Sequence, residues 1–256
     1  MRFGFIGTGT ITRAVVTGMI RFDVPFENIA LSPRNAEITG KLAGLDARVT
    51  VCKSNQDVLD SSDVVCLAVV PQVASDVLGE LKFDARHQII SFMAGVSIEQ
   101  VFGMVRTAAS VVRTVPLPAV AEGKGSTAIC PPSKISRALF APLGKAVEVD
   151  TEQQFDALSA VTATMASFYA VLEEQAAWLV RQGLPYDAAR SFLSGYHVGL
   201  AHDTTRGDQP FSKMIEESST PGGINEQLNA ELQQKGIFAS YSEALDRIMR
   251  RVQGRN

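Results

Sequence analysis

Arg2-Phe3-Gly4-Phe5-Ile6-Gly7-Thr8-Gly9-Thr10-Ile11-Thr12 begins as a strand and ends as a helix. Phe3 to Ile6 is a short apolar run, Gly7 and Gly9 break it, and Ile11 to Phe22 carries apolar residues at helical spacing. A first strand–turn–helix of this kind lays a dinucleotide pyrophosphate on the helix N-terminus, where free N–H groups and the helix dipole hold negative charge. The first glycine allows the tight turn, the second lets phosphate approach the backbone, and the third allows close helix–strand packing. Here Gly7 and Gly9 fill the ligand-facing positions and Thr12 takes the packing position, so the backbone of Gly7, Gly9, Thr10 and Ile11 is the expected phosphate cradle. A degenerate glycine turn is weak alone, but its place inside a βαβ unit favours a cofactor turn over a plain one.

The end of the second strand identifies the dinucleotide. An NAD site puts Asp or Glu there for the ribose hydroxyls, whereas an NADP site needs room and positive charge for the 2′-phosphate. This chain reads Leu31-Ser32-Pro33-Arg34-Asn35, without an acid. Ser32 can donate to phosphate and Arg34 can form charge-assisted bonds to it. NADPH is therefore the expected cofactor, with NADH as the second donor. The competing reading is a Ser-Pro turn that caps the next helix.

Short apolar runs alternate with helical patterns down the first half. Strands are expected at Ile29–Leu31, Arg48–Cys52, Asp63–Val69, Gln88–Phe92 and Ser110–Val115, with helices at Asn35–Ala43, Asn55–Leu59, Gln72–Leu81 and Ser97–Phe102 between them. This rhythm predicts an α/β fold, a Rossmann-like, doubly wound, mostly parallel sheet covered on both faces. A strand–helix–strand passage (Ser126–Cys130, Lys134–Pro142, Ala146–Val149) then gives way to long helical patterns at Phe155–Gln182, Tyr186–Arg206 and Gly236–Val252. The expected boundary lies near Asp150, with residues 1–150 a nucleotide-binding domain and 151–256 an all-helical one. Helices as apolar as Phe168–Val180 exceed what a small helical module buries, which predicts a homodimer or larger homo-oligomer through that domain.

Composition narrows the class. The 256 residues are 46% hydrophobic and 20% charged with a formal net charge of -3, so nothing drives the chain toward nucleic acid or acidic membranes. No apolar stretch is read as long enough to span a membrane, and no N-terminal signal is visible. Cys52, Cys66 and Cys130 are far apart, without metal-finger spacing, which fits a reducing, cytoplasmic setting. His197 and His202 fall on different faces of a helix and His87 lies near a strand start, so no metal site is expected.

In order and spacing, these pieces resemble the pyrroline-5-carboxylate reductase family over nearly the whole chain. Gly4-Phe5-Ile6-Gly7-Thr8-Gly9 resembles the family's opening, and Ser32-Pro33-Arg34 its adenosine-phosphate segment. Asn55 matches a position where the family often has asparagine beside the adenosine ribose. Leu67-Ala68-Val69-Val70-Pro71-Gln72 resembles its Ala-Val-Lys-Pro-Gln loop, and Ser91-Phe92-Met93-Ala94-Gly95-Val96 its stretch near the nicotinamide. Val112-Arg113-Thr114-Val115-Pro116 resembles its Arg-x-Met-Pro segment. Ser219-Thr220-Pro221-Gly222-Gly223 is similar to its Ser-Pro-Gly-Gly-Thr-Thr substrate loop.

The resemblance implies reduction of a cyclic imine by NAD(P)H. It implies cofactor contacts at Asn55, Ala68, Val69, Pro71, Ala94 and Gly95, and substrate contacts at Thr220, Pro221, Gly222, Gly223, Ile224 and Asn225. A Pro-Gly-Gly turn opening a helix supplies N–H donors for a substrate carboxylate. Thr220 and Asn225 are the candidate catalytic side chains.

Departures from the family fall on the chemistry. Val70 replaces its lysine, Leu117 follows Pro116 where it has asparagine, and Ala163-Thr164-Met165-Ala166-Ser167-Phe168 replaces Gly-Ser-Gly-Pro-Ala-Tyr. Ile224 and Asn225 replace its two threonines. Two alternatives stay open at this point: a related NADP-dependent reductase of another imine or carbonyl compound, and a non-catalytic NADPH-sensing protein.

Overall fold

The structure is a computed structural model that describes residues 1–255. The chain forms two compact units, one of Met1–Ser159 with Met249–Asn256 and one of Ala160–Ile248.

The first unit carries an eight-stranded sheet. Its strands are β1 (Arg2–Ile6), β2 (Asn28–Leu31), β3 (Val49–Val51), β4 (Val64–Leu67), β5 (Gln88–Ser91), β6 (Ser110–Val115), β7 (Gly125–Cys130) and β8 (Gly144–Glu148), in the spatial order β3-β2-β1-β4-β5-β6-β7-β8. The first six are parallel, with Phe3 opposite Ile29 on one side and Val64 on the other. The helices between them are α1 (Thr10–Arg21), α2 (Ala36–Ala43), α3 (Asn55–Asp60), α4 (Pro71–Gly79) and α5 (Ile98–Val105).

Alternation along each strand explains the double covering. Phe3, Phe5, Ile29, Leu31, Val64, Cys66, Ile90 and Val112 belong to the core on one face. Ile6, Ala30, Val65, Leu67, Ile89 and Val111 belong to the core on the other. Both residues of each consecutive pair are apolar because both faces of the sheet are buried. Cys66 lies fully inside, and burial pushes its thiol pKa well up, consistent with a structural thiol.

The expected parallel rhythm ends at β6. β7 runs antiparallel to it and β8 parallel to β7. The 116–124 connection is too short for the crossover that a parallel neighbour demands, so the chain turns back. Between β7 and β8 lies α6 (Lys134–Phe140).

The break between compact units falls later than Asp150, because α7 (Glu152–Val161) begins inside the sheet unit. Phe155 is buried with Ala128 and Cys130 of β7, and the Arg113 guanidinium stacks 4.5 Å from the Phe155 ring.

The helical unit holds α8 (Met165–Arg181), α9 (Tyr186–Asp203), α10 (Phe211–Ser218), α11 (Ile224–Gln234) and most of α12 (Ile237–Val252). α8 and α9 pack as a hairpin through Ala176, Leu179, Ala189 and Leu193. Among the described residues of this unit only Ala160, Ala176, Ala189 and Leu193 are buried apolar residues, whereas Trp178 is 53% exposed and Phe192 65%.

The expectation that no apolar stretch reaches membrane length is corrected here. Glu152–Arg181 contains an 18-residue window of mean hydropathy 1.4, long and apolar enough by length and composition to cross a membrane. Asp156, Ser159, Thr162, Thr164 and Ser167 are scattered among the apolar residues of this helix, so no unbroken apolar run marks it in the sequence, and most of its apolar side chains are exposed.

Candidate active site

The glycine turn is built by three buried hydroxyls. The Gly7 N–H donates to Ser32 Oγ at 3.0 Å, Thr8 Oγ1 donates to the Ser32 carbonyl at 3.2 Å, and Thr12 Oγ1 donates to the Gly7 carbonyl at 2.6 Å. Thr12 is fully buried, as the packing position requires. Gly7 has φ +95°, and a Cβ there would lie 2.5 Å from the Ala68 carbonyl oxygen, so only glycine fits. At Gly9 the situation is the reverse, since a Cβ would meet nothing within 4 Å. Gly9 caps α1 without a side-chain hydrogen bond, which leaves the first N–H groups of that helix to an external acceptor. An open glycine face in front of an uncapped helix fits a pyrophosphate.

A cavity of about 440 Å³ opens over this turn, lined by Gly7, Gly9, Arg34, Ala68, Val69 and Val70 among others. Five of the expected cofactor residues are thus brought together. Arg34 is exposed beside the cavity, and no hydrogen bond or ion pair joins it to another described residue. Asn35 and Ala36 also line it and were not singled out from the sequence. Asn35 accepts the Ile38 N–H as the cap of α2, which is a structural role readable from the sequence.

The remaining expected cofactor residues stand elsewhere on the same edge of the sheet. Thr10 and Ile11 open α1, Asn55 opens α3 after its Ser54 cap, and Pro71 opens α4. Ala94 and Gly95 follow β5, with Gly95 at φ +69°. All four parallel connections involved leave the carboxyl ends of their strands, where ligands of doubly wound sheets bind. Ser32 differs from its expected role. It is 1% exposed and does not line the cavity, because its side chain faces the turn rather than the ligand side.

A second cavity, of about 810 Å³, borders Gly95, Gln100, Arg113, Asp156, Met249 and Val252 within the sheet unit. Arg113 is 3% exposed, and its Nη1 reaches Glu152 Oε1 at 2.7 Å and Asp156 Oδ1 at 3.0 Å. The same Glu152 oxygen accepts the Ile98 N–H at the start of α5, at 2.9 Å. Sequence reading missed this anchor, because a helix beginning Glu-Gln-Gln-Phe-Asp looks like a solvated first turn.

The expected substrate loop lies in the helical unit. Gly223 donates its N–H to the Thr220 carbonyl at 2.8 Å, closing a turn in which Gly222 has φ +72°. Gly223 then caps α11 with no side-chain bond. Asn225 Nδ2 donates to the Ser218 carbonyl at 3.0 Å, and the Glu226 carboxylate accepts the Gly222 N–H at 2.7 Å. Glu226 was not singled out from the sequence, although an acid at the third position of a helix is a recognised partner for the preceding backbone. Ile224 is 84% exposed, and Thr220 and Pro221 are exposed beside it.

The histidines take structural places. His87 is buried, accepting the Asp84 N–H at Nδ1 (3.0 Å) with Nε2 3.1 Å from the Leu59 carbonyl. His197 Nδ1 lies 2.9 Å from the Leu193 carbonyl, one helical turn back.

Comparison with known proteins agrees with this geometry at both ends of the chain. Residues 2–95 match the family described as NADP oxidoreductase coenzyme F420-dependent, and residues 152–254 match pyrroline-5-carboxylate reductase dimerisation. The pyrroline-5-carboxylate reductase of Synechocystis is 28% identical over 99% of this chain and 97% of its own length. The solved 1-pyrroline-5-carboxylate reductase from Streptococcus pyogenes has a TM-score of 0.83 at 24% identity, covering 99% of this chain and 98% of its own. The Plasmodium falciparum pyrroline carboxylate reductase, solved with NADP bound, also has a TM-score of 0.83, at 19% identity over 100% of this chain and 98% of its own. Both structures share the fold described above. With a cofactor-type match at one end, a dimerisation match at the other and full-length relatives spanning both, the chain belongs to the pyrroline-5-carboxylate reductase family as a divergent member.

Proposed function

We propose that this chain reduces 1-pyrroline-5-carboxylate to proline with NADPH, and that it does so as a homodimer or larger homo-oligomer. The observation that carries the cofactor half is the uncapped glycine turn with Arg34 free at its side. No acid stands at the end of β2 to select NADH, and a guanidinium suits a phosphate monoester. Bound there, the reduced nicotinamide would supply a hydride, two electrons and one hydrogen, to the imine carbon, while the nitrogen carries the proton of the protonated imine.

The demands on the protein side are modest. A protonated imine is already electrophilic, so the chain must hold two carbons in line rather than build a new acid or nucleophile. Gly7, Gly9 and the first turn of α1 hold the pyrophosphate, and Arg34 the 2′-phosphate. Ala94-Gly95 after β5 are assigned to the nicotinamide end. The Thr220–Asn225 loop receives the imine's carboxylate through its backbone N–H groups, with Asn225 tying the loop to the end of α10. The Glu226 carboxylate accepts from the Gly222 N–H, one of those donors. The exposed apolar face of α8 and α9 is the proposed subunit contact, since four buried apolar residues do not sustain a helical unit of this size.

A direct assay follows NADPH oxidation with pyrroline-5-carboxylate beside a panel of cyclic imines. Turnover of another imine alone assigns the chain to the related-reductase alternative. NADPH binding with no turnover of any imine assigns it to the sensor alternative.

A further inference from the structure

We infer that Ser32 is a positioning residue of the cofactor turn and not, like Arg34, a ligand of the 2′-phosphate. This rests on the cofactor reading above and divides labour between two residues that the sequence pattern assigns to one task.

The geometry separates them. Ser32 is 1% exposed and Thr12 fully buried, and neither lines the cavity, whereas Thr8, 4% exposed, borders it with its hydroxyl engaged by the Ser32 carbonyl. Together they occupy the polar groups of the turn. Ser32 takes the Gly7 N–H, Thr12 takes the Gly7 carbonyl, and Thr8 takes the Ser32 carbonyl. The main chain adds a further tie, since the Ser32 N–H donates to the Phe5 carbonyl at 3.0 Å, continuing the β1–β2 ladder.

Gly7 is thereby held from both flanks. On one side the Ala68 carbonyl presses where a Cβ would be, and on the other Ser32 draws the Gly7 N–H away from the cavity. Withdrawing that donor leaves the pyrophosphate to Gly9 and the first turn of α1, and it fixes φ of Gly7 at the value that aims this turn. Arg34, two residues on, lines the cavity.

A pyrophosphate is common to NADPH and NADH, whereas the 2′-phosphate is not. Loss of the brace therefore weakens both dinucleotides equally, and loss of the reader weakens one. Binding of NADPH, NADH and adenosine 2′-monophosphate is measured by calorimetry for the wild type and for Ser32→Ala, Thr8→Ala and Arg34→Ala, with the melting temperature of each protein without ligand. Ser32→Ala is expected to raise the Kd for NADPH and NADH by a common factor of roughly three to ten, the equivalent of one neutral hydrogen bond. It leaves adenosine 2′-monophosphate unchanged. Thr8→Ala, which frees the Ser32 carbonyl, reproduces the unbiased loss should Ser32→Ala fail to fold. Arg34→Ala weakens NADPH and adenosine 2′-monophosphate only.

Selective loss of NADPH or adenosine 2′-monophosphate in Ser32→Ala would place its hydroxyl on the phosphate and overturn the inference. A lowered melting temperature with unchanged Kd for both dinucleotides would also overturn it, reducing Ser32 to a merely structural residue. Failure of the wild type to bind either dinucleotide is a different result, which removes the cofactor reading itself.

Discussion

Arg113 Nη1 lies 2.7 Å from Glu152 Oε1, joining the sixth strand to the first helix after the sheet. Asp156 adds a second carboxylate at 3.0 Å, and the Phe155 ring covers the guanidinium between them. This buried cation ties α7 to β6. Arg113→Met leaves two carboxylates without their partner, one of them 13% exposed, and should lower unfolding free energy by about 3 kcal/mol. Urea denaturation checks it, and a loss within ~0.5 kcal/mol contradicts the anchor.

Arg34 is expected to set cofactor choice. A charge-assisted contact to phosphate contributes roughly 1.5–3 kcal/mol. Arg34→Ala should therefore raise the KM for NADPH about tenfold or more while that for NADH moves within about twofold. Equal effects on the two cofactors remove Arg34 from the phosphate site.

The substrate loop yields an opposite-signed pair of variants. Asn225→Ala cuts the link to the Ser218 carbonyl and should slow imine turnover with the NADPH Kd unchanged. Glu226→Gln keeps an acceptor for the Gly222 N–H but removes a negative charge from the place assigned to the substrate carboxylate. At roughly 0.3–1 kcal/mol for a charge at a helix N-terminus, the KM for pyrroline-5-carboxylate should fall about two- to fivefold, with kcat constant. An unchanged KM in Glu226→Gln and unchanged turnover in Asn225→Ala together take this loop out of the site.

Assembly is tested through the exposed aromatic face. Phe192 stacks on Tyr196 at a centroid distance of 6.2 Å, and both are exposed with Val198 on α9. Wild-type protein should scatter light as a dimer or larger species. The double variant Phe192→Glu, Val198→Glu should shift toward monomer and lose helical stability, since each glutamate is forced into an apolar contact. A monomeric wild type at micromolar concentration contradicts the assignment of this face.

The parallel core of the fold is legible in the sequence because the strands from Phe3 to Val112, the edge strand β3 apart, bury apolar residues on both faces, and only a doubly covered sheet needs that. The glycine turn is legible for a similar reason, since Gly7 answers a backbone constraint that no other residue meets. Residues whose role depends on direction are not legible. Ser32 and Arg34 sit two apart in one turn, and nothing in their order says that one side chain points into the turn and the other toward the cavity. The pairing of Arg113 with Glu152 and Asp156 escapes notice because they meet only after the chain has passed through two strands and a helix. The reversal at β7 follows from connection length, whereas the apolar residues of α8 read as a core in the sequence and stand exposed in the fold.

The central claim is a transfer of hydrogen from NADPH to a cyclic imine carbon. The most direct measurement incubates the protein with pyrroline-5-carboxylate and NADPH carrying deuterium at the transferable position of the nicotinamide, then analyses the product by mass spectrometry. The account predicts proline labelled with one deuterium on the former imine carbon, formed in step with NADPH consumed. Wild-type protein that binds NADPH yet forms no labelled proline under these conditions contradicts it.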